Sequence, residues 1–158
     1  RGTIVGDNQE TPEFQDEEVI CISAGSRHTI LIDKDGDAYV SGFIETFNSY
    51  QGHMGIERSN LQQGPNAWMN AGIVMNSAGD KVPAPRFMKV YAGAGAPGDA
   101  RAMHSVLISQ AGDVYIAGNN DMGQLCTGDE EQRDLFTQVG GLPAPAVAAG
   151  VGLDFTLI

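Results

Sequence analysis

The chain has 158 residues, with nine Lys plus Arg against twenty Asp plus Glu and a net charge of −11. A polyanion of this size repels phosphate backbones and anionic bilayers, so neither nucleic acid nor direct membrane insertion is expected. No apolar run approaches the length of a bilayer span, in keeping with a mean hydropathy of −0.16, and the 21 glycines point to a turn-rich fold around one core.

In chain order, Val19-Ile20-Cys21-Ile22-Ser23-Ala24 alternates apolar and small residues and stops at Gly25. Arg27-His28-Thr29-Ile30-Leu31-Ile32 follows, then Asp35-Gly36-Asp37, then Ala38-Tyr39-Val40-Ser41-Gly42. Short alternating runs bounded by Gly and Asp predict half-buried strands joined by tight turns that need positive φ. A polar stretch from Arg58 to Lys81 contains Trp68 and Met69, and Pro83-Ala84-Pro85 closes it.

The pattern then returns. Met88-Lys89-Val90-Tyr91-Ala92-Gly93 leads, after Ala94 to Arg101, into Met103-His104-Ser105-Val106-Leu107-Ile108. Ala111-Gly112-Asp113 is the turn and Val114-Tyr115-Ile116-Ala117-Gly118 the closing strand. His28 to Gly42 and His104 to Gly118 have the same spacing, with Gly-Asp at matching offsets. A third copy starts at Ala146-Val147-Ala148-Ala149-Gly150, with Phe155 in the histidine position, and reaches Ile158. Self-similarity of this kind marks a repeat architecture.

These residues resemble the RCC1-like repeat. The second copy carries most of the resemblance: Ala92-Gly93, His104-Ser105-Val106-Leu107, Gly112-Asp113-Val114-Tyr115, and Gly118-Asn119-Asn120-Asp121-Met122-Gly123-Gln124-Leu125, with Cys126 where the family has Gly. The first keeps Ala24-Gly25, His28-Thr29 and Tyr39-Val40-Ser41-Gly42, but its later segment degenerates to Tyr50-Gln51-Gly52-His53-Met54-Gly55-Ile56. The resemblance implies an all-β fold of RCC1-like β-propeller blades, four-stranded antiparallel meanders in an incomplete ring. The expected division is 1–18 as the tail of a preceding repeat, 19–57 as the first repeat and 58–87 as a loop insertion. The second repeat spans 88–129 with an inserted loop at 94–101, and 130–158 is a connector and the start of a third. Beginning at Arg1 and stopping inside a strand, the sequence reads as a piece of something longer.

No catalytic constellation is legible, and no cofactor or metal site is expected. Gly25, Gly42, Gly93, Gly118 and Gly123, with His28 and His104, read as structural repeat positions; the two histidines suggest a shared hydrogen bond rather than catalysis. His53 has no ligand partner at metal spacing. Asp33, Asp35 and Asp37 fail as a calcium loop, since Ala38 and Phe43 stand where an EF-hand has Gly and Glu. Cys21 and Cys126 read as small core residues and favour a reducing compartment. Trp68 and Met69, with the acidic Glu130 and Glu131, are the candidate partner contacts. The expected function is a non-catalytic protein–protein interaction or scaffold subunit with other protein subunits as partners. The alternative, implied by the resemblance, is a guanine-nucleotide exchange factor for a small GTPase.

Overall fold

The computed structural model describes residues 18–44, 52–61, 64–65, 68–94 and 103–158. The expected tail (1–18) and inserted loop (94–101) lie, apart from Glu18 and Ala94, outside the described residues.

Strands β1 (Val19–Ala24), β2 (His28–Asp33) and β3 (Ala38–Ile44) form an antiparallel meander, and both β4 (Gly64–Pro65) and β5 (Met69–Asn70) pair with β3. β6 (Ile73–Met75) and β7 (Lys81–Pro83) form a hairpin. The second meander is β8 (Phe87–Ala92), β9 (His104–Ser109), β10 (Val114–Gly118) and β11 (Arg133–Gln138). A two-stranded unit follows, β12 (Gly150–Val151) with β13 (Thr156–Leu157). Among the described residues there is no α-helix, and a single 3-10 turn occupies Arg58–Asn60.

The stretch 58–87, expected as a loop insertion, therefore carries strands. β5 completes the first meander through Tyr39↔Asn70 and Val40↔Met69, while β6 lies parallel to β11 at Thr137↔Met75. It straps the outer edges of the two meanders together. Strands of two or three residues are too short to show a period, so the alternation rule misses them.

One turn chemistry makes three of the hairpins, β2–β3, β6–β7 and β9–β10. In β2–β3, Gly36 N–H donates to the Asp33 carbonyl at 3.0 Å and Asp33 N–H to the Asp37 carbonyl at 3.1 Å. The same pair of bonds joins Gly79, Asn76 and Asp80 in β6–β7, and Gly112, Ser109 and Asp113 in β9–β10. The first residue's side-chain oxygen accepts the N–H of the last at 2.9, 2.8 and 3.0 Å in turn. Gly36, Gly79 and Gly112 have φ of 84°, 88° and 86°, a left-handed region that costs other residues about 1 kcal/mol or more. Asp33 is thus buried by its turn, its carboxylate already accepting two backbone N–H groups.

Two cores result. Ile30, Val40 and Met54 of the first meander's side pack against Phe87, Leu107 and Phe136 of the second. On the second meander's other face, Val106, Ile108, Val114 and Ile116 are covered by Val139 and Ala146, with Ala149 and Val151 alongside. The meanders therefore stack face to face with their cores in the seams between them.

Candidate functional site

The seams are where the repeat residues converge. His28 pairs with Gly42 across β2–β3 and His104 with Gly118 across β9–β10. The His28 Nε2 lies 2.6 Å from Ser105 Oγ in the next meander, and His104 Nε2 lies 2.9 Å from Thr156 Oγ1 in the unit after that. Ser105 and Thr156 both stand directly after the histidine position of their own repeat. Each histidine thus reaches forward by one repeat to a hydroxyl. Ser105 Oγ also donates to the His53 carbonyl at 2.6 Å, binding the segment after β3 into the same joint. The His53 ring lies 5.0 Å from that of His28.

The opposite end of each seam is closed by backbone. Phe87 N–H donates to the Gly36 carbonyl at 2.8 Å, and Ala146 N–H to the Gly112 carbonyl at 2.9 Å. The glycines of the turns let the following chain approach this closely: a Cβ at Gly36 would sit 2.9 Å from Arg86 Cβ and one at Gly112 2.5 Å from Pro145 Cβ. Two seams with the same pair of locks, one histidine–hydroxyl and one turn carbonyl, are the structural signature of the repeat.

The other repeat glycines crowd the histidine end. A Cβ at Gly25 would press on the Gly93 carbonyl and the His28 ring, one at Gly42 would meet Met54 Sδ at 2.7 Å, and one at Gly93 would meet the His104 carbonyl at 2.8 Å. Gly25 N–H donates to the His28 carbonyl and Gly93 N–H to the His104 carbonyl, both at 2.8 Å. In the third copy this bond runs from Gly152 to Phe155 at 2.9 Å. Gly152, not the expected Gly150, is therefore the counterpart of Gly25, and Val151↔Thr156 matches Ala24↔Thr29.

Burial fixes the electrostatics. The His28 pKa is lowered to about 4 by desolvation and then by the nearby His104, and that of His53 to about 3 by desolvation, His28 and Arg27. Both rings are neutral near pH 7. They are parts of a joint, without solvent access for acid–base work.

Beyond Gly118, the loop 119–131 is a closed polar network. Asn120 accepts from Leu125 N–H at 2.8 Å through its Oδ1 and donates to the Asp129 carbonyl at 2.8 Å. Gln124 Nε2 donates to Asn119 Oδ1 at 2.9 Å. The Asp129 carboxyl is held below its usual pKa by the Glu131 N–H and by Arg133. Gly123 turns the chain at φ 72° with open space around it. Cys126, expected in the core, is exposed and adopts φ 55° where the repeat has Gly. Partial burial raises its thiol pKa, the opposite of nucleophile activation.

Of the predicted contacts, Met69 packs against the seam core and pairs with Val40, Trp68 is half-buried, and Glu130 and Glu131 are exposed on the loop. A groove of about 880 Å³ opens between the 3-10 turn, the β6–β7 hairpin and β11, with Glu57, Arg58, Met75, Lys81, Cys126 and Arg133 along it. The Lys81–Glu57 and Arg58–Asp134 ion pairs balance its charge. Trp68 does not line it.

Ser105→Ala tests the joint. It strands His28 Nε2 and the His53 carbonyl in the interior, and each unsatisfied buried group costs about 1–3 kcal/mol. Urea unfolding is expected to show a loss of about 2–4 kcal/mol, with Ser105→Thr close to wild type because Thr156 plays this part at the next seam.

Four-stranded meanders stacked face to face in chain order, each locked to the next, are blades of a β-propeller. The comparisons agree on the kind. No family model matches the chain. The mouse X-linked retinitis pigmentosa GTPase regulator is 26% identical over 126 residues, 80% of this chain and 10% of that protein. Yeast RCC1 (Prp20), in its complex with Kap60, aligns with a TM-score of 0.62 at 21% identity over 89% of this chain and 29% of that one. Human WBSCR16 aligns with a TM-score of 0.62 at 17% identity, over 91% and 32%. The chain has the fold of RCC1-like propeller blades. It spans about a tenth of the curated relative and about three tenths of the solved chains.

Proposed function

We propose that this chain is a non-catalytic protein–protein interaction module, a scaffold part of a larger assembly. The observation that carries the reading is the fate of the chemistry-bearing side chains. His28, His53 and His104 are buried in blade joints, and Asn119, Asn120 and Asp129 are engaged in their own loop. Among the described residues, the surface open to outside contact includes loop positions, with Met122 at 71% exposure beside Asp121 and the acidic Glu130 and Glu131. Trp68 is the aromatic anchor of this proposal, Met69 being engaged by the core.

Exchange on a small GTPase is the second reading. It is favoured by the likeness to Prp20p of Saccharomyces cerevisiae, whose structure was reported with its binding to Gsp1p and histones, and by the mouse relative's name as a GTPase regulator. Release of a fluorescent guanine nucleotide from a panel of small GTPases separates the two. The scaffold reading expects release at the intrinsic rate for every member, while acceleration of any one replaces it with exchange. Within the scaffold reading, Trp68→Ala is expected to weaken association with co-purifying subunits at least tenfold without changing the melting temperature. Unchanged association would remove Trp68 as an anchor.

A further inference from the structure

All three histidines of the chain lie at blade joints. Ser105 Oγ has one proton, and it goes to the His53 carbonyl, which can only accept. The hydroxyl must therefore accept from His28, so His28 carries its proton on Nε2 and presents a bare lone pair at Nδ1. That Nδ1 has no hydrogen-bond partner among the described residues, and a Cβ built on Gly25 would lie only 3.0 Å from it. A second proton there would be a buried charge with nothing to accept its N–H.

Among the described residues, the charged neighbours that act on the pair add no relief. The corner before β2 brings Arg27, β9 brings His104 and the segment after β3 brings His53 itself, every one cationic when charged. Gly93, just after β8, lies at this point, while Lys89 of β8 is engaged by the Val147 carbonyl. β3 contributes Gly42.

We propose that the joint between the first two blades is acid-operated: proton uptake by the His28–His53 pair parts the blades at this end while each blade keeps its own strands. The other end of the seam is held by the Gly36 carbonyl and Phe87 N–H, with the Arg86–Asp37 ion pair beside them, and serves as the hinge. Parting exposes the seam core around Ile30, Met54 and Leu107.

The sign follows from the lowered pKa values. Both rings are neutral when the joint is closed and return toward 6.5 when it parts. The closed joint has its full stability above pH 6.5 and loses it as pH falls from there toward about 4 for His28 and about 3 for His53. Each histidine shifts the equilibrium by roughly tenfold per pH unit, and the pair by up to about a hundredfold. Carboxylates contribute little between pH 6.5 and 5.

The test is a titration of the full chain from pH 7.5 to 5, with far-ultraviolet circular dichroism for the strands and Nile red, a neutral dye, for exposed apolar surface. Wild type is expected to gain dye fluorescence over this range at constant dichroism. His28→Gln with His53→Gln, which keeps an N–H for Ser105 and takes no proton, is expected to show no gain. Equal gain in the double variant, no gain in wild type, or loss of strand signal together with the gain each overturns the proposal. Should the double variant not fold, histidine Cε1 proton shifts of wild type decide. Two rings silent until the dye signal rises support the joint, and free titration near 6.5 without dye binding overturns it.

Discussion

Gly118→Val is expected to lower the melting temperature by about 10 °C or more, which corresponds to a loss of about 4 kcal/mol in a domain of this size. Gly118 closes β10 with φ 128°, a conformation that a β-branched residue adopts only under strain. A Cβ there would stand 2.5 Å from both His104 Cα and the Met103 carbonyl oxygen. Both neighbours are backbone, so the clash cannot be relieved by a rotamer change. Relief requires β9 to move, and with it His104, whose Nε2 holds Thr156 of the next blade. One substitution therefore strains its own hairpin and unlatches a seam. A variant melting within 2 °C of wild type, an interval of about 1 kcal/mol, would show that β9 and β10 do not close on this glycine.

Phe136→Ala is expected to cost about 3–5 kcal/mol in urea unfolding, with a single transition. Phe136 is fully buried on the outermost strand of the second blade's own meander, yet it belongs to the core shared with Ile30 and Val40 of the first. Its ring is pressed by Gly55, where a Cβ would overlap it. Truncation leaves a void walled by both blades, and neither can close it alone. Two resolved transitions, with the first blade unaffected, would mean that the blades fold independently and that the seam core does not couple them.

The blades were legible in the sequence because their information is local. Asp33-x-x-Gly36-Asp37 and Ser109-x-x-Gly112-Asp113 encode the same turn, and the equal spacing from histidine to closing glycine encodes the hairpin register. Asn76-Ser77-Ala78-Gly79-Asp80 carries the turn signal too, and reading it would have placed the β6–β7 hairpin inside what looked like a loop. The joint was not legible in the same way. His28 and Ser105 are 77 residues apart, and nothing along the chain says that a histidine reaches one repeat forward. His53 lay in a degenerate segment with no partner at ligand spacing, and its place beside His28 follows only from stacking the blades. Cys126 was misplaced because Leu125, its buried neighbour, suggested a core strand; the left-handed turn that puts the thiol outside is set by the Asn120 and Asp129 network.

Consecutive RCC1-like blades are fastened by a histidine reaching forward to a hydroxyl. A double-mutant cycle on His28 and Ser105 measures that fastening, using His28→Ala, Ser105→Ala and both together in urea unfolding. Residues in direct contact are expected to couple by about 1–2 kcal/mol, the double variant losing less than the two single losses combined. Additive losses, with coupling near zero, would contradict the joint and leave the two side chains as independent occupants of the seam.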